Sequence, residues 1–150
     1  MKHIRPAETG DVCRLSEIEV FNYRLNFYPI FQNDEFYFKE YTTESLSETY
    51  KMNPEMIENT YVFDDGCVKG FIRVTEGVIQ KLFVEPVLQG KGIGDTLLTY
   101  AIRERGAYSL WALEKNVRAI AFYERHGFMK TGDKALEDDT DEYLVQLKRR

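Results

Sequence analysis

The sequence predicts one mixed α/β (α+β) domain, and three observations carry that expectation. Apolar residues recur at helical spacing near the N-terminus, from Val12 through Leu15 and Ile18. The middle of the chain alternates in strand fashion around an Asp-Gly turn at Asp65-Gly66. The second half then runs strand, glycine-rich loop, helix, strand, helix, strand, strand. A length of 150 residues suits one domain. Such a chain buries roughly 68–70% of its unfolded surface and needs no covalent staples.

His3–Arg5 reads as a short edge strand closed by Pro6. Thr9 is the candidate N-cap of a helix reaching about Asn22, with Ser16 and Glu19 assigned to the face opposite Val12, Leu15 and Ile18. Residues 23–43 are rich in aromatic side chains, and Pro29 limits any single helix there. Ser45-Leu46-Ser47-Glu48 has the spacing of a capping box and predicts a helix to about Met52, before Pro54. Thr60–Phe63 and Cys67–Val74 form a predicted hairpin, and Glu76-Gly77 turns the chain into a third strand, Val78–Val84, ended by Pro86. After the glycine-rich stretch Gln89–Gly94, the residues Leu97, Leu98, Ala101 and Ile102 mark one helical face to about Arg105. Tyr108–Leu113 is a strand, and Val117–His126 a helix stopped by Gly127. Phe128–Thr131 and Tyr143–Leu147 close the chain as strands, separated by the acidic loop Glu137–Glu142.

Composition narrows the function. Twenty basic and twenty-five acidic side chains leave a net charge of −5, without the basic footprint of a nucleic-acid binder. Cys13 and Cys67 lie too far apart for a CxxC or zinc pattern; they are expected as small buried side chains in a reducing compartment, with no metal site. The first residues lack an apolar signal core, and no apolar run approaches the ~18 residues of a membrane span, so the expected location is cytoplasmic. Aromatic residues make up 14% of the chain, and nine of the 21 fall between Phe21 and Tyr41.

The stretch Gln89-Gly90-Lys91-Gly92-Ile93-Gly94 is the most informative. Alternate glycines between a strand and a helix let several backbone N–H groups face one way, and the helix start adds its own unpaired donors and positive dipole end. An anion such as pyrophosphate suits that arrangement; a tight strand-to-helix turn that merely needs glycine is the plainer reading. Lys91 is followed by Gly92 rather than Ser or Thr, so the Walker pattern fails, and the third glycine falls one residue early for the dinucleotide fingerprint.

Gln89, Gly92 and Gly94 fit the acyl-CoA loop pattern of the GCN5-related N-acetyltransferase (GNAT) family: Gln or Arg, two free positions, Gly, one free position, Gly or Ala. Asn116, Ala119, Phe122, Tyr123, Gly127 and Phe128 resemble the family's second signature at its usual separation. The resemblance implies a mostly antiparallel seven-stranded sheet with about four helices, opened by a V-shaped splay between the Val78–Val84 and Tyr108–Leu113 strands. It implies acetyl-CoA in that opening, with no metal. Main-chain groups of Leu82, Phe83 and Val84 would pair with the pantetheine amides, and a backbone N–H near Val84 would meet the oxyanion. The N–H groups of Gln89, Gly90, Lys91, Gly92, Ile93, Gly94 and Asp95, with Thr96 beside them, would cradle the pyrophosphate, with Lys91 and Arg118 as added cations or merely solvated charges. Asn116, Ala119 and Phe122 would line the cofactor site; Asn116 equally suits the N-cap of the following helix.

The reaction implied is direct attack of a neutral amine on the thioester in a ternary complex. It needs a group to take the amine proton and one to protonate the leaving thiolate. Tyr123 stands where the family has its general-acid tyrosine; the bland alternative is an aromatic on a buried helix face. Glu76 and then Glu114 are the candidate bases, each equally at home as a turn or strand-end carboxylate, with a water relay as the third option. His126 reads as a charge complementing a helix C-terminus. The aromatic cluster and the acidic loop face the acceptor in such a fold, and together they suit a cationic amine, small or on a peptide or protein; core packing and a solvated loop are the alternative. No nucleic-acid or membrane partner is expected, and the family's habit of pairing through sheet edges or C-terminal strands makes Tyr143–Leu147 a candidate homodimer element. The competing function is a catalytically inactive acyl-CoA-binding or interaction module.

Overall fold

The computed structural model describes residues 2–150. Its seven strands are β1 (Ile4–Pro6), β2 (Thr60–Asp64), β3 (Val68–Thr75), β4 (Val78–Val84), β5 (Ser109–Leu113), β6 (Phe128–Leu136) and β7 (Tyr143–Arg149). They form one sheet in the order β1-β2-β3-β4-β5-β7-β6. Every neighbouring pair is antiparallel except β4 and β5. Four longer helices cover the sheet: α1 (Val12–Asn26), α3 (Thr43–Met52), α5 (Ile93–Arg105) and α6 (Val117–Arg125). Two short ones, α2 (Tyr28–Phe31) and α4 (Pro54–Glu58), and a π turn at Phe36–Glu40 complete the chain.

Strand alternation sends successive β3 side chains to opposite faces. Phe71 packs with Leu15, Ile18, Leu46 and Tyr50 beneath α1 and α3; Ile72 packs with Leu97, Leu98, Leu110 and Ile120 beneath α5 and α6. The parallel pair joins only Val78 to Ser109 and Ile79 to Leu110. Beyond Ile79 the two strands part. The cause is local: β3 residues Arg73 and Val74 pair with Lys81 and Ile79, leaving Gln80 as an extra residue on β4. A bulge of this kind bends its strand and increases the twist. It swings the end of β4 from β5, while β5 stays paired along its length to β7.

Several local expectations shift. The first helix starts in a 3-10 turn at Thr9–Asp11 capped by Glu8, so Thr9 is not the cap, and α1 runs on to Asn26. Ser16 and Glu19 are buried with Leu15 and Ile18 rather than facing away from them. The capping box of α3 lies three residues upstream: the Ser45 N–H donates to Thr42 Oγ1 at 3.1 Å and the Thr42 N–H to Ser45 Oγ at 3.0 Å. Cys13 and Cys67 are exposed, not buried, because Cys13 lies off the apolar stripe of α1 and Cys67 follows the hairpin turn. β6 continues to Leu136 past an irregularity between Lys130 and Lys134. β7 lies inside the sheet between β5 and β6, so Tyr143–Leu147 offers no edge for pairing; the outer strands are β1 and β6.

Candidate active site

The parted strands frame two connected hollows. The first, about 320 Å³, runs along the end of β4 and the glycine-rich loop to α6. Of the residues the sequence singled out, Leu82, Phe83, Val84, Gln89, Gly90, Gly92, Ile93, Gly94, Asp95, Asn116, Arg118, Ala119, Phe122 and Tyr123 line it. Lys91 is exposed and outside that lining. Gly90 and Gly92 hold φ values of +81° and +85°, and a Cβ on either would meet nothing within 4 Å. Glycine is required there by backbone conformation, not by crowding. The first helical bond of α5 runs from the Thr96 N–H to Gly92 O at 3.0 Å, so the N–H groups of Ile93, Gly94 and Asp95 belong to the unpaired first turn, and these residues line the groove.

Gln89 acts differently from its neighbours. Its Nε2 donates to Asn22 Oδ1 at 3.0 Å and to Val84 O at 3.2 Å. Asn22 Nδ2 in turn donates to Val84 O and to Ile18 O, both at 2.9 Å. The side chain of Gln89 therefore pins the loop to α1 and to the end of β4. Asn22, which pattern reading passed over, is the anchor; its signal is a polar side chain on the same helical stripe as Val12, Leu15 and Glu19. Asn116 Oδ1 accepts the Ala119 N–H at 3.3 Å, capping α6 while also lining the groove. Asp95 and His126 approach to 2.7 Å, which ties the start of α5 to the end of α6 and gives the imidazole a partner beyond its own helix end.

The second hollow, about 580 Å³, opens on the other side of the splay. Six of the nine clustered aromatics line it (Tyr23, Phe27, Phe31, Phe36, Tyr37 and Tyr41), while Phe21, Tyr28 and Phe38 do not. Trp111 and Lys81 join them, and Glu137, Asp138 and Asp139 of the acidic loop form one lip. Neither Trp111 nor Lys81 stood out in the sequence, since each occupies an ordinary strand position. The Lys81 ammonium donates to the Tyr23 hydroxyl and lies 4.9 Å from that ring's centre. Burial lowers the Lys81 pKa, but nearby Tyr23 and Glu19 outweigh it and the net shift is upward.

Leu82, Phe83, Asn116, Ala119 and Tyr123 line both hollows. Tyr123 is 8% exposed and packs edge-on against Phe122 and Phe128, with centroids at 5.3 and 5.7 Å. Burial holds its phenol well above the ordinary tyrosine range, so it stays protonated at neutral pH. Glu76 is not brought to this junction. It is exposed in the β3–β4 turn with φ +51°, at the closed end of the splay, and lines neither hollow. The four residue steps from Val78 to Leu82 alone span about 13 Å of strand. Glu114 also lines neither; it pairs with Lys134 at 2.6 Å, which lowers its pKa. Among the described residues no cluster of His, Cys, Asp or Glu could hold a metal, and no helix is long and apolar enough to cross a membrane.

Comparison with known proteins agrees with this geometry. Residues 57–130 match the family model described as an acetyltransferase (GNAT) domain. The chain is similar to the peptidyl-lysine N-acetyltransferase YjaB of Salmonella typhimurium, 27% identical over 106 residues that cover 65% of this chain and 73% of that protein. It is also similar to the peptidyl-lysine N-acetyltransferase YiaC of Escherichia coli, 35% identical over 78 residues, 51% of this chain and 53% of the relative. Among solved structures, the PaiA N-acetyltransferase of Thermoplasma acidophilum, in complex with coenzyme A, superposes with a TM-score of 0.69 at 20% identity, covering 98% of each chain. The splayed strands, the glycine loop at the head of α5 and the sequence match agree: over residues 57–130, about half of its length, this chain matches the GNAT acetyltransferases, and its relatives support acetyl-CoA-dependent N-acetyl transfer.

Proposed function

We propose that the chain acetylates the ε-amine of lysine residues in polypeptides, with acetyl-CoA in the loop-side groove and lysine in the aromatic cavity. The single observation that carries the reading is the position of Tyr123, a buried phenol in the wall between the two hollows. Acetyl-CoA supplies a thioester activated towards amines; the chain supplies position and protons. Backbone donors of Gly90, Lys91, Gly92, Ile93, Gly94 and Asp95 receive the pyrophosphate, aided by the α5 dipole. Arg118 lines the same groove and adds a cation. The free edge of β4 at Leu82, Phe83 and Val84 receives the pantetheine arm as an added strand.

The attacking amine must arrive neutral, and the thiolate must leave. Tyr123 serves the leaving group. A thiol has a reference pKa of about 8.5, below that of the phenol, so Tyr123 stabilises the thiolate mainly as a hydrogen-bond donor. Aromatic walls and three carboxylates at the lip draw in an alkylammonium and give its methylene stem an apolar track. The acceptor assignment is supported by the names of the YjaB and YiaC relatives together with that lining.

Incubation of the protein with acetyl-CoA and a lysine-containing peptide tests the reading, with thiol release and the site of acetylation by mass spectrometry as readouts. Thiol release with the acetyl group on the ε-amine is the expected result. Acetylation confined to the α-amine, or release only with small free amines, would overturn lysine as the acceptor.

A further inference from the structure

Tyr123 packs on the α5–α6 face of the sheet, whereas the clustered aromatic rings of the second hollow come from α1 and the segment that follows it. Behind that cavity lies a line of buried polar groups to which the steps above give no task. Glu19, on α1, is 2% exposed. Its Oε2 accepts from the Tyr41 hydroxyl, and its Oε1 has no hydrogen-bond partner, with Arg73 Nη2 at 3.9 Å. Arg73 is itself bound to the Tyr50 hydroxyl and to Thr60 Oγ1. Tyr41 stacks on Tyr23 with ring centroids 4.5 Å apart and planes at 18°. Tyr23 accepts from Lys81.

The direction of these bonds follows from the end groups. An ammonium only donates and a carboxylate only accepts. With Lys81 donating to Tyr23 Oη, the Tyr23 proton is free to turn towards the hydroxyl of the stacked Tyr41, and the Tyr41 proton points at Glu19. Tyr23 and Tyr41 both line the acceptor cavity, and the second lone pair of Tyr23 Oη is available to an incoming N–H.

We infer that Tyr23, Tyr41 and Glu19 form the outlet for the proton that the acceptor amine must lose, on the face of the sheet opposite Tyr123. The ammonium proton passes to Tyr23 Oη, the Tyr23 proton to Tyr41 Oη, and the Tyr41 proton to Glu19 Oε2. One N–H and two O–H bonds break and three O–H bonds form, leaving a neutral amine and a neutral carboxylic acid. The amine lone pair then bonds to the thioester carbon as the C–S bond breaks. The second N–H proton, lost as the amide forms, balances the one the sulfur takes. Once the product has left, Glu19 returns its proton along the same line to water entering the emptied cavity. The groups facing Glu19 are Tyr23 on its own helix, Tyr41 after the π turn, Tyr50 on α3, Arg73 on β3 and Lys81 on β4. Tyr23 is the member that touches substrate; Tyr41 and Glu19 act through it as positioning residues.

This inference rests on acetyl transfer to an amine, not on lysine being that amine. It is tested with Tyr23→Phe, Tyr41→Phe and Glu19→Gln, following thiol release with a lysine-containing peptide across pH. Proton-transfer assistance contributes ~10²–10⁴-fold, so each variant should lose about 10²-fold in kcat/KM at neutral pH. The loss should shrink as pH approaches the lysine pKa of about 10.4, where the amine needs no outlet. Acetyl-CoA affinity should match that of the unaltered protein. A loss that stays constant with pH, as packing damage would give, overturns the inference, and so does unchanged activity of Tyr41→Phe. That variant removes one hydroxyl and keeps the Glu19 and Arg73 charges, so it carries the test should Glu19→Gln fail to fold. If the unaltered protein releases thiol with butylamine but not with the peptide, lysine is the wrong acceptor and the same variants are compared on butylamine. No release with either overturns acetyl transfer and the outlet together.

Discussion

At the scale of single residues, burial sets what Tyr123 can do. The same desolvation that keeps the phenol protonated makes it a reluctant acid, so in the proposed reaction its contribution is a directed hydrogen bond to sulfur. Tyr123→Phe is expected to lower kcat by roughly 10- to 100-fold, the size of about 1.4–2.8 kcal/mol of lost transition-state stabilisation. Acetyl-CoA affinity, read by titration calorimetry, should change little, because the hydroxyl meets the leaving group rather than the ground-state cofactor. Residues of this kind were legible in the chain: Gly92, Asn116 and Tyr123 owe their identities to a local backbone conformation or helix position. Gln89 was legible as a motif member but not in its task, since Asn22 lies 67 positions away in sequence. Glu76 and Glu114 show the converse, carboxylates whose type suits a base and whose positions in turns at the strand ends line neither hollow.

At the scale of elements, α1 is both a wall of the core and the anchor of the cofactor loop. Asn22→Ala would leave Gln89 held by Val84 O alone and remove one of the two side-chain donors to that carbonyl. The expected outcome is a loss of about 1–3 kcal/mol in stability for the buried groups left unpaired, seen by denaturant titration, with weaker acetyl-CoA binding. The other end of α1 carries a pH dependence. The Arg5 guanidinium holds the Asp11 carboxyl below its usual range and also binds Asp64, joining β1 to the helix start. A depressed folded pKa means stability that is present above the unfolded value of about 3.9 and lost as pH falls through the lower folded value. Asp11→Asn should therefore destabilise the protein at neutral pH and flatten the acid limb of its thermal stability below about pH 4. Element boundaries were readable wherever period, proline or turn chemistry marked them. Residues 23–43 resisted because aromatic side chains fill every face of short helical turns, so no period survives. Ser16 and Glu19 were misassigned, and Asn22 passed over, for a related reason: a helix that buries a polar network looks, by pattern, like one turning it to solvent.

At the scale of the whole molecule, the net charge of −5 is unevenly used, with Glu137, Asp138 and Asp139 standing at one cavity lip. Replacing them by Gln, Asn and Asn should raise KM for a lysine-containing peptide several-fold at low salt, with kcat nearly unchanged. Since exposed charges are screened within about 8 Å at physiological ionic strength, the difference should narrow as salt is added.

The single extra residue at Gln80 reaches furthest at this scale. By parting β4 from β5 it leaves the β1–β4 half of the sheet joined to the β5–β7 half through two residue pairs. In the proposed arrangement, a cofactor lying along the free edge of β4 acts as mortar between two leaves as well as a donor of acetyl groups. A ligand at 100 times its Kd adds about 2.7 kcal/mol to folding stability. Much of that gain should register as slower amide exchange in β4 and β5, on both sides of the seam, when acetyl-CoA is added.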